Sequence, residues 1–375
     1  MILTPHTGKE ATNMKIQRFP NYTIGEDAYT DIAGVCAPYG TKAAVIGGNR
    51  ALAAALPGIE AAVAGSPVQL TGTYWNGGEA SVENIERLEA EPGVQQADMI
   101  FAVGGGKAID TAKVLSHRAG KPLFTFPTIA STCASCTGLG ILYHPDGSLR
   151  EYSFSDVPPV HIFIDTGIIA RATRQYLWAG IGDSMAKYYE CTVSGRGDEL
   201  DHPKALGTAI SHMCGDPLVK YGVQALADCD ADRVTDALEE IVLGIIVSTG
   251  YVSNLVNIDL TTGAAHAMYN GFTVLPQIEH NGHLHGEIVA YGVLVLLAMD
   301  EQEEELQRIH AFSRKMGLPT CLADLHCTTD DLDKVITKAL AGIDVRHYPY
   351  TVTPELIRTA VARLEQWPAE EAKAV

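Results

Sequence analysis

Three consecutive glycines, Gly104, Gly105 and Gly106, follow an apolar run at 98–103 and precede a helical pattern that starts at Lys107. Glycines at such a point let the backbone approach a diphosphate, and the free amides at the start of the helix attract its charge. Lys107, and Asp110 one turn later, add polar groups to such a site. The segment is neither a GxGxxG nor a Walker A sequence, and a glycine turn between strand and helix is also a common structural connection. The added side chains favour dinucleotide binding.

A row of hydroxyl side chains at 127–137 follows another apparent strand and includes Thr128, Ser131 and Thr137. Such a loop could hydrogen-bond a nicotinamide carboxamide or a ribose, although hydroxyl-rich loops also form simple turns. The same loop contains Cys133 and Cys136 in a CxxC arrangement. Because no second CxxC is present to complete four zinc ligands, a structural zinc or redox role is disfavoured.

One carboxylate and two imidazoles come from three separate segments: Asp183 in GIGDS, His266 in TGAAHA and His285 in HLHGE. This set suits a divalent metal that keeps a position open for substrate. Spacing alone does not establish the site, since His266 could be a core histidine and His285 could simply mark a helix start. His283 is a rival for the third position.

The first part of the chain alternates short apolar runs with helical patterns, which is typical of a parallel sheet. Strands are predicted at 42–46, 68–74, 98–103 and 122–127, with helices at 50–56, 81–91 and 107–118. A turn at 145–147 between two short apolar runs predicts a hairpin across 140–154. Ligands of open α/β sheets bind at the carboxyl ends of the strands, where the glycine turn lies.

Beyond residue 165 the sequence shows long helical periodicities. Helices are predicted at 168–190, 204–227, 231–253, 286–299, 301–316, 329–340 and 354–366. We therefore predict two domains, an α/β dinucleotide-binding domain at 1–165 and an all-helical metal- and substrate-binding domain at 166–375. A cleft is expected between them.

The net charge of −18, from 27 basic and 45 acidic residues, disfavours nucleic acid and anionic membrane surfaces as partners. The eight scattered cysteines and the absence of an apolar leader at 1–20 favour a cytoplasmic protein. The strongest apolar stretches, at 241–247 and 288–299, fall short of the ~20 residues that a bilayer span needs. We expect no membrane span, a small-molecule substrate and a homo-oligomer.

Taken together, five motifs resemble the iron-containing (group III) alcohol dehydrogenases, in particular their glycerol-dehydrogenase-like branch, which shares its fold with the dehydroquinate synthases. The motifs are GGGKAIDTAK, FPTIAST, AGIGDSMAKYYE, AAHAMYNGFTVLP and HGEIVAYG. The resemblance extends over nearly the whole chain and implies the α/β plus all-helical fold. It also implies hydride transfer between a nicotinamide dinucleotide and a substrate held at a metal.

By this resemblance Asp183, His266 and His285 correspond to the metal ligands of the family. Gly106, Lys107, Thr128, Thr137, Leu139 and Tyr143 correspond to its dinucleotide contacts. His285 is preferred over His283 because a Gly-Glu pair follows it, as in the family motif. Two imidazoles and one carboxylate suit either zinc or iron.

Two departures from the family pattern bear on specificity. Where glycerol dehydrogenases carry an Asp-Ala-Pro that contacts the polyol, this chain has Cys133-Ala134-Ser135, as in the hydroxycarboxylate dehydrogenase branch. Loss of that carboxylate removes a repulsion of ~1 kcal/mol or more against an anionic substrate, which favours 2-hydroxy or 2-oxo acids over glycerol. Gly48, with Arg50 nearby, stands where NAD-preferring relatives have an acidic residue, so NADP is acceptable beside NAD.

Tyr269 replaces the second histidine of the HAxHN pattern found in many relatives, so a proton relay there would use Tyr269 or water. Two other functions compete with a dehydrogenase. A carbocycle synthase (a lyase) of the same fold would need many cations for a phosphorylated substrate, and Lys and Arg are sparse near the ligand motifs. A non-enzymatic descendant would have broken ligand motifs, whereas all three candidate ligands are present.

Overall fold

A six-stranded parallel sheet forms the first part of the molecule in the computed structural model, which describes residues 17–145, 147–155 and 157–371. The strands run in the order β1-β8-β5-β4-β2-β3. Their bounds are β1 Asn21–Gly25, β2 Lys42–Gly47, β3 Gln69–Trp75, β4 Met99–Gly104, β5 Leu123–Pro127 and β8 His161–Asp165. The remaining strands, β6 Gly140–Tyr143 and β7 Leu149–Ser153, form an antiparallel hairpin, so the predicted hairpin is confirmed.

Strands β4 and β5 are buried along their whole length, and β2 is buried after Lys42, because helices cover both faces of the sheet. Val45, Phe101 and Phe126 lie in the core on one face, and Ile46 and Ile100 lie in the core on the other. This burial holds the carboxyl ends of the strands in register, as the next pairings show.

Gly47 pairs with Val103 and Gly104 pairs with Pro127. The loops that follow these residues therefore leave the sheet at the same edge, beside one another.

The helices are α1 Ile32–Cys36, α2 Asn49–Val63, α3 Val82–Glu89, α4 Pro92–Gln96, α5 Gly106–Ala119, α6 Thr166–Ala170, α7 Arg174–Ser194, α8 His202–Ser211, α9 Asp216–Asp230, α10 Asp236–Leu243, α11 Thr249–Leu255, α12 Ile258–Thr261, α13 Ala264–Phe272, α14 Pro276–His280, α15 His285–Met299, α16 Glu303–Met316, α17 Leu332–Ala341 and α18 Pro354–Glu371. Helix α15 is the centre of the second part of the molecule, and every residue from Gly286 to Met299 is buried except Glu287. A helix that is apolar on all sides is typical of the middle of a core.

The predicted fold class, a parallel α/β part followed by helices, is confirmed. All strands of the large sheet lie between Asn21 and Asp165, and α6 begins at Thr166. The domain boundary at 165/166 stays a prediction that this change of architecture supports.

The structure differs from the sequence predictions in several element bounds. Strands β1 and β8 were not predicted, and β8 lies between β1 and β5 in the sheet. The helix predicted at 204–227 is broken at Gly215, whose ψ of −95° is not helical and which precedes Pro217 by two residues. Inside a continuous helix Pro217 would remove a backbone hydrogen bond, whereas in the first turn of α9 its missing N–H has no such partner to lose, so a new helix begins at Asp216.

The helix predicted at 231–253 is also different. Thr235 caps the start of α10, and a π-helical turn at Gly244–Ser248 joins α10 to α11. The continuous helical segment Asp236–Leu255 is 20 residues long and apolar enough, by length and composition, to cross a membrane. This corrects the expectation that no stretch reaches that length. The most apolar 18-residue window of the segment is 61% buried inside the fold, as in the core helix of a soluble protein.

Candidate metal and nucleotide site

Helices α7, α13 and α15 position the predicted metal ligands, and glycines allow the backbones of these helices to come into contact. A Cβ on Gly182 of α7 would collide with the carbonyl oxygen of Gly286 of α15, and a Cβ on Gly286 would collide with that of Ala179. Gly292 of α15 meets Ala265 of α13 in the same way. Because side chains are missing at these crossings, the backbones approach closely enough for short side chains to converge.

Asp183, His266 and His285 do converge, and their ligand atoms all lie within 4.8 Å of one another. Oδ1 of Asp183 is 3.1 Å from Nε2 of His285 and 3.6 Å from Nε2 of His266. The side chains are 13%, 14% and 38% exposed for Asp183, His266 and His285 respectively, so the cluster is shielded but open on the His285 side. One carboxylate and two imidazole nitrogens facing a common point fit a zinc or iron ion.

Glu190, which the sequence analysis did not assign, orients His266. Its Oε2 lies 2.7 Å from Nδ1 of His266, and its Oε1 accepts hydrogen bonds from the backbone N–H groups of Gly263 (2.7 Å) and His266 (3.0 Å). An ionised carboxylate only accepts, so Nδ1 carries the proton and Nε2 is the nitrogen that faces Asp183. The signal was present in the sequence, since Glu190 stands seven residues, or two helical turns, after Asp183 on one face of α7.

The carboxylates of Asp183 and Glu190 favour a positive charge at this cluster. Burial alone would lower the pKa of His266, but Glu190 and Asp183 outweigh it and raise the pKa to about 10. Burial would raise the pKa of Asp183, yet His285 and His266 hold it well below its usual range. A proton on His266 offsets part of the negative charge of Asp183 and Glu190, and a divalent cation could take the place of that proton.

His283 is not part of this cluster. Its Nδ1 lies 2.8 Å from Oε1 of Glu287, and its Nε2 lies 2.9 Å from Nδ1 of His326. Both ring nitrogens therefore have partners other than Asp183. The geometry favours His285 over His283 as the third ligand.

The glycine turn forms one wall of a small groove at the end of β4 and the start of α5. The groove is lined by Gly104, Gly105, Gly106, Ile109, Pro127, Ile129, Ser131, Thr132, Ala134 and Ser135. Gly104 has a φ of +142°, which side chains rarely adopt, and a Cβ on Gly105 would lie 2.6 Å from Cδ1 of Ile129. The amide of Thr128 donates to the carbonyl of Gly104 (3.3 Å), joining the two loops. Helix α5 points its N-terminal amides at this groove, as a diphosphate site requires.

Asp110 lies below the groove rather than in it, in a buried network with Lys113. Nζ of Lys113 is 2.9 Å from Oδ1 of Asp110 and donates to the carbonyl of Leu139 (2.5 Å) and to Oγ1 of Thr137 (3.4 Å). The other oxygen of Asp110 accepts from the amide of Ile141 (3.2 Å). Burial raises the pKa of Asp110 although Lys113 opposes the shift. The network holds the segment of Thr137 and Leu139 against α5, and Lys113 is a second residue that the sequence analysis missed.

The remaining predicted cofactor residues lie around this edge. Nζ of Lys107 is 2.6 Å from Oε2 of Glu79, and its side chain is 64% exposed. Gly48 precedes α2, where an added Cβ would meet nothing nearer than Oδ1 of Asn76 at 3.8 Å. Tyr143 is partly buried at the end of β6, where its amide donates to the carbonyl of Ala80 (2.8 Å).

The groove lies beside the cluster of Asp183, His266 and His285. A Cβ on Gly180 of α7 would collide with the carbonyl of Ala130 and lie 3.0 Å from Cα of Ser131. Gly180 lies one helical turn before Asp183, so the hydroxyl-rich loop at 127–137 packs directly beside the cluster of candidate metal ligands.

Cys133 is on the same loop, with its Sγ 3.9 Å from Oγ of Ser253. Burial raises the pKa of its thiol, the positive charge of Lys187 opposes the shift and the negative charge of Asp183 adds to it. The thiol therefore lies within electrostatic reach of the cluster.

The chain is similar to known proteins over most of its length. The sequence profile of iron-containing alcohol dehydrogenases matches residues 20–166. The chain is 36% identical to hydroxycarboxylate dehydrogenase A of Escherichia coli (strain K12) over 297 residues, which cover 78% of this chain and 81% of that protein. It is also 36% identical to the glycerol dehydrogenase of Thermotoga maritima over 302 residues, which cover 78% and 80%.

The crystal structure of glycerol dehydrogenase from Schizosaccharomyces pombe superimposes with a TM-score of 0.84 at 27% identity, covering 96% of this chain and 92% of that one. The chain belongs to the iron-containing alcohol dehydrogenase family, and the predicted resemblance is confirmed. It is an oxidoreductase of a family that acts on alcohols. The relatives include both hydroxycarboxylate and glycerol dehydrogenases at equal identity, so similarity alone does not select a substrate.

Proposed function

We propose that this protein transfers a hydride between NAD or NADP and a small 2-hydroxy or 2-oxo acid, at a divalent zinc or iron ion held by Asp183, His266 and His285. The observation that carries the proposal is the contact of Gly180 with Ala130 and Ser131. Through this contact the groove at the glycine turn lies beside the cluster of Asp183, His266 and His285. Hydride transfer needs donor and acceptor held side by side, and the proximity of groove and cluster supports the proposal.

A metal at this site would supply Lewis acidity, polarising the substrate oxygen and stabilising the negative charge that develops on it. Side chains and backbone amides of the chain orient the metal ligand His266 and bind the cofactor. Glu190 holds His266 with its Nε2 directed at the site. The turn from Gly104 to Lys107 binds the diphosphate at the N-terminus of α5. The hydroxyls of Thr128 and Ser131 bind the nicotinamide half of the cofactor.

The preference for an acid substrate rests on Cys133 and Lys187. Cys133 places a thiol, which is neutral at physiological pH, where a carboxylate would repel an anion. Lys187 is buried one turn after Asp183, and its Nζ donates to the carbonyl of Thr261 (3.1 Å). Burial would lower the pKa of Lys187, whereas the nearby carboxylates of Asp183 and Glu190 raise it. A charged ammonium beside the cluster favours an anionic substrate.

Glycerol is the alternative substrate, because a glycerol dehydrogenase is as similar to this chain as the hydroxycarboxylate dehydrogenase. For the coenzyme, the open space beside Gly48 and the exposed guanidinium of Arg50 support acceptance of NADP as well as NAD. We further propose that the protein is a cytoplasmic homo-oligomer. The eight free cysteines of each chain suit a reducing compartment.

A substrate panel tests the proposal. The kcat/KM of the zinc- or iron-loaded protein is compared for 2-oxobutanoate, 2-oxoglutarate and glycerol, each with both coenzymes, by following absorbance at 340 nm. We expect at least one 2-oxo acid to exceed glycerol about tenfold, with NADPH comparable to NADH. Efficient glycerol oxidation with strict NAD dependence would overturn the substrate and coenzyme assignments together.

A further inference from the structure

We propose that His283, Glu287 and His326 form a positioning chain that fixes His285 for metal binding. The inference rests on the proposed metal site and adds three residues to it that do not touch the metal. His283 was singled out by the sequence as a rival ligand, and the structure gives it a different set of contacts.

The chain of contacts runs from a surface loop to the first turn of α15. Nδ1 of His326 lies 2.9 Å from Nε2 of His283, whose Nδ1 lies 2.8 Å from Oε1 of Glu287. The other oxygen of Glu287 accepts from the amide of Leu284 (2.9 Å). The side chains of His283 and Glu287 are 5% and 13% exposed, whereas His326 is exposed.

The hydrogen-bond roles along this chain follow from the carboxylate. An ionised Glu287 only accepts, so the Nδ1 of His283 carries the proton and its Nε2 accepts. The Nδ1 of His326 must then be the donor. The hydrogen bond to Glu287 thus fixes which nitrogen of His283 accepts from His326, and the two hydrogen bonds hold the side chain of His283 in one orientation.

The chain acts where His285 is least supported. His285 is the first residue of α15, and Leu284 before it is the helix cap. The contact of Gly286 with Ala179 fixes α15 against α7, but it lies on the backbone and does not hold the segment that enters the helix. Glu287 ties Leu284 and His283, the two residues before His285, to one carboxylate. Substitution of residues that orient metal ligands commonly lowers metal affinity 10- to 100-fold.

Metal binding by the purified protein tests this role without using activity. Zn²⁺ affinity is measured by competition with a chromogenic chelator, and the visible bands of bound Co²⁺ report the coordination geometry. His283→Leu removes both ring hydrogen bonds, whereas His283→Asn keeps an N–H that can donate to Glu287. His280→Asn, at an exposed histidine of α14, is the matched control.

His283→Leu should bind Zn²⁺ at least tenfold more weakly than wild type and alter the Co²⁺ bands, while His283→Asn restores both to near wild type and His280→Asn changes neither. His326→Gly suits the φ of +56° at that position and should give a smaller loss in the same direction. If His283→Leu does not fold, the His326→Gly result decides.

Zn²⁺ affinity within twofold of wild type in folded His283→Leu, or in His326→Gly if the former does not fold, would overturn the positioning role alone. Equal losses in His283→Leu and His283→Asn would also overturn it. Zn²⁺ binding that His285→Ala leaves unchanged would instead overturn the proposed metal site, and the positioning role with it.

Discussion

Replacement of Glu190 by Gln tests how the structure prepares His266 for a metal. In the wild-type site one carboxylate accepts three hydrogen bonds, two from the amides of Gly263 and His266 and one from Nδ1 of His266. A glutamine can satisfy the two amides with its oxygen, but its NH₂ group then faces Nδ1 of His266, donor against donor. The imidazole must move its proton to Nε2, the nitrogen that faces Asp183, to accept from the amide.

The expected effect is a 10- to 100-fold loss of Zn²⁺ affinity, about 1.4 to 2.7 kcal/mol, because Nε2 of His266 can bind the metal only when the imidazole proton is on Nδ1, where it opposes the NH₂ group of the glutamine. The affinity is measured by chelator competition, with circular dichroism to establish that the variant is folded. Glu279→Gln, the same change at an exposed position of α14, serves as the control and should leave the affinity unchanged. Wild-type Zn²⁺ affinity in folded Glu190→Gln would refute the assignment of Glu190 as the residue that orients His266.

Further predictions concern the proton balance, the groove, the helix crossing and the substrate. Glu190 and Asp183 raise the pKa of His266 to about 10, so Zn²⁺ binding between pH 7 and 9 should release about one proton and become tighter as the pH rises. Calorimetry in buffers of different ionisation enthalpy measures the proton release. Binding heats that do not depend on the buffer would contradict this prediction. Gly105→Val should raise the cofactor dissociation constant at least tenfold, both by filling the groove and by displacing Ile129, and unchanged affinity in a folded variant would count against the diphosphate assignment. Gly286→Ala should lower the free energy of unfolding by about 1–3 kcal/mol, measured by denaturant titration, because its Cβ collides with α7; an unaffected stability would mean that the helices can separate at no cost. Cys133→Asp should shift kcat/KM from 2-oxo acids toward glycerol, and an unaltered ratio would show that this position does not select the substrate.

The fold was predictable where local patterns are strong. Buried parallel strands such as β4 read as apolar runs, and the glycine turn after β4 marks the edge at which ligands bind. Strand β1 was missed because it lies at the edge of the sheet and is only partly buried, so its sequence carries a weak apolar pattern. The break at Gly215 was missed because helical periodicity continues on both sides of it, and only the proline two residues later signals the new start.

The three metal-ligand candidates were identified through motif resemblance, because nothing in their spacing shows that residues 183, 266 and 285 meet. Their supporting residues were harder to find. Glu190 lies on the same face of α7 as Asp183, a pattern that is visible in the sequence, but its partner His266 is 76 residues away. Lys113, which pairs with Asp110 on α5, donates to the carbonyl of Leu139, 26 residues away, and no local pattern encodes this contact. The contacts that orient a site are long-range, and periodicity reports only local structure.

The most direct test of the central claim compares the wild-type protein with His285→Ala. Both are freed of metal and reloaded with Zn²⁺ or Fe²⁺. Absorbance at 340 nm then follows oxidation of the reduced coenzyme by 2-oxobutanoate and, in a separate assay, reduction of the oxidised coenzyme by glycerol. We predict that the loaded wild type transfers hydride and loses this activity when the metal is removed, whereas His285→Ala has no measurable activity but still binds the dinucleotide. Activity that persists at the wild-type rate in metal-free protein or in His285→Ala would contradict the account.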